Sequence, residues 1–175
     1  MQINKILSGG KIDILVNNAG VLERADIVNT TEAQFDKMFK VNVSSVFFIT
    51  QHFISRINDG GRIINISSNL SKRPRQEVIG YSMTKAAIDN FTIALASMLG
   101  SRQITVNSVA PGATDTDINK ERFKDPLVKA NIGNMSALKR VKTPEDISKV
   151  VAFLCSDEGF WITGQYIETS GGAGI

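Results

Sequence analysis

The sequence predicts an α/β fold in which helices cover both faces of a parallel sheet. Short apolar runs alternate with segments of helical periodicity, and this order is typical of such a sheet. The runs are nearly continuous in apolar residues, so they predict strands that are buried on both sides. The first three runs end in polar residues or glycine. Because ligands bind beyond the carboxyl ends of parallel strands, these three breaks predict one shared site.

The elements follow in a regular order. We predict strands over residues 12–17, 62–67, 104–109 and 164–168. Apolar residues at helical spacing predict helices over residues 32–40, 41–57 and 81–99, and a further helix that begins at residue 144. Residues 113–142 are polar and mixed, and their weak periodicity allows only short helices. The whole chain, residues 1–175, is expected to form a single domain.

Caps and glycines predict where these helices begin and end. Thr30 or Thr31 can cap the first helix, and Thr143 can cap the last one ahead of a proline at its first position. The pair at residues 60–61 is expected to end the second helix, and Gly100 the third. Glycine suits both places because it readily adopts the left-handed backbone that follows a helix.

Composition excludes several classes of function. The 20 basic and 17 acidic residues form no concentrated basic stripe, which argues against a nucleic-acid partner. No apolar run reaches the ~18 residues of a membrane span, and residues 1–5 do not resemble a secretory signal, so we expect a cytoplasmic protein without membrane contact. A single histidine, His52, and a single cysteine exclude an internal disulfide and predict no metal site. His52 itself is expected on a helix surface.

Three side chains could transfer protons without histidine. Tyr81 and Lys85 lie four residues apart at the start of a helix, so both are expected on one helix face. Ser68 follows the second strand at the same edge of the sheet. A lysine ammonium near a phenol favours the phenolate, which would bring the pKa of Tyr81 closer to neutrality. The serine hydroxyl would then hold the reacting oxygen.

These residues belong to a set of linked motifs that identifies a family. The motifs are Asn17-Asn18-Ala19-Gly20, Val41-Asn42-Val43, Ser68, Tyr81-x-x-x-Lys85, Asn107-x-x-x-Pro111-Gly112 and Ile162-Thr163-Gly164-Gln165. Over residues 11–172 the sequence resembles the short-chain dehydrogenase/reductase family in its single-domain form. The resemblance implies a Rossmann-like doubly wound parallel sheet. It also implies an oxidoreductase that moves a hydride between a nicotinamide cofactor and a ketone or secondary alcohol, such as a 3-oxoacyl reductase or another carbonyl reductase.

The resemblance further implies a role for each catalytic position. Tyr81 would be the general acid for reduction and the base for oxidation, and Ser68 would bind the reacting oxygen. Lys85 would lower the pKa of the tyrosine and bind the nicotinamide ribose. Asn42 would hold a water molecule that relays protons from the lysine.

The cofactor implied by the family is NADP or NAD, with NADP slightly favoured. Besides Tyr81 and Lys85, the family pattern assigns cofactor contacts to Asn17, Ala19, Gly20, Pro111, Gly112 and Thr116. Residues 113–142 would cover a small-molecule carbonyl or alcohol substrate. Two helices, over residues 41–57 and 81–99, carry more apolar residues than one sheet face needs, so a homo-oligomer is expected, either a dimer or a tetramer.

Several of these assignments have structural alternatives. Asn17 and Asn18 could stabilise the sheet edge by bonding to nearby backbone, and Asn42 could do the same within its helix. Ser67 could supply the hydroxyl in place of Ser68, although the family spacing favours Ser68. The basic cluster at residues 72–75 is interpreted as a solvated loop near the substrate entrance, with recognition of an anionic substrate as the alternative.

The family's first strand and its glycine-rich turn do not occur in the sequence. Residues 1–10 resemble the tail of a helix, so the N-terminal part of the sheet is expected to be absent. The chain could be part of a longer protein, a short form completed by a partner chain, or a reduced fold that binds dinucleotide poorly; we favour the first. The alternative function is a non-redox binding or scaffold chain with a relict active site.

Overall fold

Four parallel strands form the sheet of the computed structural model, which describes residues 10–175. Their order in the sheet follows their order in the chain: β1 (Ile12–Asn17), β2 (Ile57–Ile66), β3 (Thr105–Pro111) and β4 (Tyr166–Thr169). The register pairs Asn17 of β1 with Asn65 of β2, and Asn65 with Ser108 of β3. The predicted parallel α/β sheet is therefore confirmed, with β1 at its predicted bounds.

Helices connect these strands and lie on both faces of the sheet. The α-helices are α1 (Glu32–Phe39), α2 (Ser45–Phe53), α3 (Ile79–Leu99), α4 (Pro126–Asn134) and α5 (Pro144–Cys155). A π-helical turn, Lys40–Ser44, joins α1 to α2. Short 3-10 helices occur at Asn69–Ser71, Gly100–Arg102, Asp117–Asn119, Arg122–Lys124 and Asp157–Gly159. The weakly periodic residues 113–142 thus contain α4 and two 3-10 turns.

The predicted end of the second helix is wrong. Helix α2 ends at Phe53, and Ile57 already belongs to β2, where it is fully buried. The glycine pair lies inside this strand instead of capping a helix. Gly60 has a positive φ of 76°, and a Cβ on Gly61 would lie 2.8 Å from the Asp13 carbonyl oxygen. Glycine is needed there because the two strands approach closely where their register shifts.

The helix starts follow the sequence more closely than the helix ends. Thr31 caps α1 in a capping box with Gln34, and Thr143 caps α5 in a capping box with Asp146, as the capping rules predict. Gly100 does follow the last α-helical residue of α3. Its φ is −58°, however, and the left-handed residue is Gln103, with a φ of 55°. Gln103 therefore ends this segment with a left-handed backbone, a conformation that glycine or asparagine usually adopts.

Adjacent residues of β2 belong to two separate hydrophobic cores. Ile63 packs with Leu95 and Leu99 of α3 on one face, whereas Ile64 packs with Leu154 of α5 on the other. Successive side chains of a strand point to opposite faces, so one apolar run supports both layers. This packing fixes α3, which carries the tyrosine and lysine motif, against one face of the sheet.

Strand β1 is less covered than its sequence predicts. Within residues 10–175 it pairs with β2 alone, and Ile14 and Val16 are 46% and 41% exposed. The expected burial on both faces is thus not found in this part of the chain. The predicted helix tail falls largely on residues 1–9, outside the described residues. Among residues 10–175, none of the helices has the length and apolar character required to cross a membrane.

Candidate active site

The carboxyl ends of three strands meet at one edge of the sheet. β1 leads into Asn18 and Gly20, β2 leads into Ser67 and Ser68, and β3 ends at Pro111. Because β1, β2 and β3 are parallel neighbours, their polar ends lie side by side. The N-terminal turn of α3 reaches the same edge and supplies Tyr81 and Lys85.

Tyr81 and Lys85 are both buried on one face of α3. Tyr81 is 8% exposed and Lys85 is 4% exposed. The Lys85 Nζ lies 5.6 Å from the centroid of the Tyr81 ring and donates a hydrogen bond to the Ile66 carbonyl oxygen at 2.8 Å. The i,i+4 spacing therefore places the cation above the ring face, in the geometry of a cation–π contact.

Burial controls the protonation of Tyr81. It raises the pKa of the phenol to about 12, while the Ser68 hydroxyl and the positive charge of Arg24 lower that pKa. The sequence suggested that Lys85 supplies the charge that lowers the tyrosine pKa. The structure adds Arg24 as a positive charge that lowers this pKa, and it places the Lys85 ammonium over the ring face, bonded to a backbone carbonyl.

Burial also controls the protonation of Lys85. It lowers the pKa of the ammonium to about 8, and the negative charge of Asp89 opposes this shift. Asp89 lies four residues further along α3 and is 3% exposed, with its Oδ1 accepting a hydrogen bond from the Ser108 hydroxyl at 2.7 Å. The lysine thus titrates close to physiological pH and has a buried carboxylate nearby.

Asn42 is a fully buried residue of the π-helical turn. Its amide nitrogen donates to the Val21 carbonyl at 2.9 Å and to the Thr84 hydroxyl at 3.0 Å, and its oxygen accepts from the Val21 amide at 2.8 Å. The side chain therefore fixes the loop after β1 to α3, and it does not bond within its own helix as the structural alternative suggested. Gly20 lies in the same place, since a Cβ there would be 3.4 Å from the Lys85 Nζ.

Asn17 and Asn18 occupy different environments although they are adjacent. Asn17 is 8% exposed, and its amide donates to the Thr50 hydroxyl and to the Asn65 Oδ1 at 3.1 Å and 2.8 Å. The Asn65 amide continues this network by donating to Thr92. Asn18 is exposed and lines the groove beside β1. Asn17 therefore belongs to the buried hydrogen-bond network, and Asn18 faces the open site.

Ser67 and Ser68 also differ in their surroundings. The Ser67 hydroxyl donates to the Lys85 carbonyl at 3.3 Å, which ties β2 to α3. The Ser68 oxygen accepts from the Leu70 amide at 3.2 Å and remains beside Tyr81. Of the two hydroxyls, only that of Ser68 is in position to lower the pKa of the Tyr81 phenol.

Two cavities meet at Ser68 and Tyr81. The first is a groove of about 430 Å³, within the range of small-molecule and cofactor sites. Its lining includes Asn18, Gly20, Lys85, Pro111, Gly112 and Thr116. The second cavity lies on the far side of Tyr81. Both cavities share a wall formed by Ser68, Tyr81, Gly112, Ile118 and Asn119.

Some residues that line the groove were not predicted from sequence. Ile147, Ser148 and Val151 of α5 contribute to it, as does Val16 of β1. Their signal was present but ambiguous, because an apolar helix face that lines a groove has the same periodicity as one that packs on a sheet. Asn17 and Ala19, which the family pattern assigns to the cofactor, are absent from this lining among the described residues.

Comparison with known proteins gives a consistent family. The family profile described as Enoyl-(Acyl carrier protein) reductase matches residues 2–174. Versicolorin reductase stcU of Emericella nidulans is 40% identical over 177 residues, which cover 94% of this chain and 66% of that protein. The short chain dehydrogenase/reductase nsrJ of Aspergillus novofumigatus matches to the same extent.

Solved structures resemble the chain over nearly its whole length. The angucycline C-6 ketoreductase LanV with bound NADP has a TM-score of 0.91 and 42% identity, over 98% of this chain and 66% of that one. The promiscuous reductase LugOII has a TM-score of 0.92 and 41% identity, over 99% and 69% of the two chains. The chain spans about two thirds of these relatives. With sequence motifs, sheet topology and relatives in agreement, the chain belongs to the short-chain dehydrogenase/reductase family.

Proposed function

We propose that this chain supports reduction of a ketone by NADPH, and the reverse oxidation of a secondary alcohol. One observation carries the proposal: Ser68 and Tyr81 form part of the wall between a groove of cofactor size and a second cavity. A carbonyl held at that wall would reach both hydroxyls and face the groove. The NADP bound by the related ketoreductase LanV favours NADP over NAD as the cofactor of this chain.

The groove residues fit a nicotinamide dinucleotide. Gly20 lines the groove beside Lys85 and Asn42, within van der Waals distance of both side chains. Pro111, Gly112 and Thr116 line the part of the groove next to Tyr81. The bound cofactor would supply the hydride. The protein supplies placement and the proton, as is general for cofactor enzymes.

Tyr81 would supply the proton. With its pKa raised to about 12, the phenol stays protonated at neutral pH and can donate to a carbonyl oxygen as that oxygen gains negative charge. The Ser68 hydroxyl would donate a second hydrogen bond to the same oxygen and so stabilise the developing alkoxide. In the oxidation direction, Lys85 and Arg24 would favour loss of the phenolic proton through their positive charge.

Replacing Tyr81 by phenylalanine tests the proposal. The assay follows NADPH absorbance with a panel of aryl and cyclic ketones. We expect Tyr81→Phe to lower kcat by about 10²- to 10⁴-fold, the usual contribution of general acid catalysis. Tyr166→Phe is the matched control, since these are the two tyrosines of the chain. Near-parental turnover by Tyr81→Phe would refute the assignment. Absence of any thermal shift with NADPH would favour the non-redox alternative.

Two further expectations belong to this proposal: residues 113–142 cover the substrate, and the chain forms a homo-oligomer. Residues 113–142 contribute Ala113, Asn119, Arg122 and Met135 to the second cavity, which supports a covering role. Apolar side chains on α2 and α3 are exposed: Phe47 46%, Phe48 60%, Met83 49%, Ile93 56% and Met98 62%. Exposed apolar surface of this kind favours self-association. Light scattering that shows only a monomer would contradict this part.

A further inference from the structure

The second cavity is lined by a cluster of positive charges. We call it the cationic cavity, and its charged residues are Arg24, Arg75, Arg122, Lys142 and a single carboxylate, Glu77. Ser68 and Tyr81 line the same space, so the cluster surrounds the volume in which a substrate carbonyl would lie. These charges come from four distant parts of the sequence, which only the fold brings together.

Lys142 is the most buried of these cations. It is 6% exposed, and its Nζ forms neither a hydrogen bond nor an ion pair with any of residues 10–175. Burial lowers the pKa of this ammonium, and the negative charges of Glu168 and Asp146 oppose this shift. The Nζ would lie 2.8 Å from a Cβ on Gly112, which places it against the loop that follows β3. None of the described carboxylates lies within ion-pair distance of this ammonium, and an anionic ligand in the cavity would supply that contact.

The three arginines also lack acidic partners. The Arg24 guanidinium donates a hydrogen bond to the Asn119 Oδ1 at 3.5 Å, and the Arg75 guanidinium contacts the Met135 sulfur at 4.0 Å. Burial lowers the pKa of the Arg24 guanidinium, the charges of Arg122 and Arg75 lower it further, and Glu77 acts in the opposite direction. The guanidinium groups thus repel one another across the cavity and are only partly neutralised.

Seven cations elsewhere in the described part of the chain form ion pairs. Arg73 bonds to Glu168, Arg102 to Asp59, and Arg140 to Asp146. Lys37, Lys124 and Lys129 each contact a carboxylate as well. The cationic cavity differs from these ion pairs because its four cations share a single carboxylate, Glu77. Guanidinium and ammonium groups bind carboxylates strongly because such hydrogen bonds are charge-assisted.

We propose that the cationic cavity selects a ketone that carries a carboxylate or a comparably anionic group, with Lys142, Arg24 and Arg122 as specificity-determining residues. The inference rests on the proposed ketone reduction for its substrate, and on the charge cluster for its selectivity. The carbonyl would face Ser68 and Tyr81, and the anionic group would lie among the cations.

The test uses two probes that differ at one group, a carboxylate in one and its methyl ester in the other. The protein is given NADPH with 4-acetylbenzoate or with methyl 4-acetylbenzoate, and binding of both probes is also measured by calorimetry. We expect kcat/KM and affinity to favour the acid by about tenfold, the usual size of a charge-assisted hydrogen bond. This preference should weaken as salt is raised, because the mouth of the cavity is open to solvent.

Charge-removing variants identify the source of the preference. We expect Lys142→Met, Arg24→Gln and Arg122→Gln each to reduce the ratio of kcat/KM for the acid to that for the ester. Lys149→Met removes one exposed positive charge outside the cavity and should leave this ratio unchanged. An equal drop with Lys149→Met would indicate a general charge effect and overturn the inference.

The two proposals fail in different ways. Equal reduction and equal binding of acid and ester would overturn the selectivity and leave ketone reduction in place. Preferential binding of the acid without reduction of either probe would contradict the proposed function and support the anionic site. Preferential binding of the ester would overturn the selectivity directly.

Discussion

The Lys85 Nζ lies 5.6 Å from the centroid of the Tyr81 ring and donates its hydrogen bond to the Ile66 carbonyl oxygen at 2.8 Å. The end of β2 thus holds the lysine ammonium over the face of the Tyr81 ring. With its pKa lowered to about 8 by burial, the ammonium is still largely charged at neutral pH. Its protonation state is therefore expected to limit activity in mildly alkaline solution.

We predict that kcat/KM for ketone reduction falls as the pH rises above about 8. The Lys85 ammonium loses its proton in this range, so the groove loses a positive charge. Lys85→Met should lower kcat/KM by about 10²-fold or more and should leave no inflection near pH 8 in the remaining rate. Steady-state rates across a pH series measure both effects.

Lys72→Met is the matched control for this experiment. The Lys72 Nζ lies 5.5 Å from the ring centroid of Tyr166, so it makes the same type of contact at a different tyrosine. We expect its pH profile to keep the inflection of the wild type. Loss of the inflection in the Lys72 variant would show that the lysine of α3 is not its source.

Asp89→Asn should move this inflection to lower pH. The Asp89 carboxylate stabilises the charged form of Lys85, so its removal lowers the lysine pKa further. We expect a shift of about 1 pH unit in the alkaline limb of kcat/KM. Ser108→Ala is the control, because it removes the hydrogen bond to Asp89 and retains the negative charge. If the alkaline limb of kcat/KM stays at the same pH in Asp89→Asn, the Asp89 carboxylate does not stabilise the charged form of Lys85.

Asn17→Ala and Asn18→Ala should separate stability from cofactor affinity. The first removes both donors to Thr50 and Asn65 inside the sheet and should lower the free energy of unfolding by about 1–3 kcal/mol. The second changes an exposed residue of the groove and should weaken NADPH binding with little loss of stability. Urea unfolding and NADPH titration measure the two quantities. If the two variants change the free energy of unfolding equally, or change NADPH affinity equally, the proposed separation of roles between Asn17 and Asn18 is wrong.

The site residues could be predicted because their motifs are local. Tyr81 and Lys85 share one helix turn, and Ser68 follows a strand that the apolar pattern identifies, so spacing alone places them at one edge of the sheet. The caps at Thr31 and Thr143 are local in the same sense, since a capping box involves residues three positions apart.

Features that depend on distant neighbours were missed. Helical spacing favoured a helix up to Ile57, but this residue begins β2 and is buried against α3, so tertiary packing prevailed over periodicity. The roles of Asn17 and Asn18 depend on which way each side chain points, and this in turn depends on strand register. Arg24, whose positive charge lowers the pKa of Tyr81, lies in a loop whose path no sequence pattern indicated.

The buried ammonium of Lys85 should also make stability depend on pH. Its pKa is about 8 in the folded protein and 10.5 when unperturbed, so between these values the unfolded chain binds more protons than the folded one. The free energy of unfolding should therefore rise with pH across this window, by at most about 1.4 kcal/mol per pH unit. Tyr81 has the opposite sign, because its pKa is raised to about 12, and its effect begins only near pH 10. Urea unfolding of the wild type and of Lys85→Met from pH 7.5 to 9.5, a window set by these two pKa values, isolates the lysine, since other groups contribute equally to both proteins. The difference in unfolding free energy, wild type minus variant, should increase with pH. A difference that stays constant or decreases would show that Lys85 is not destabilised as an ammonium in the folded protein.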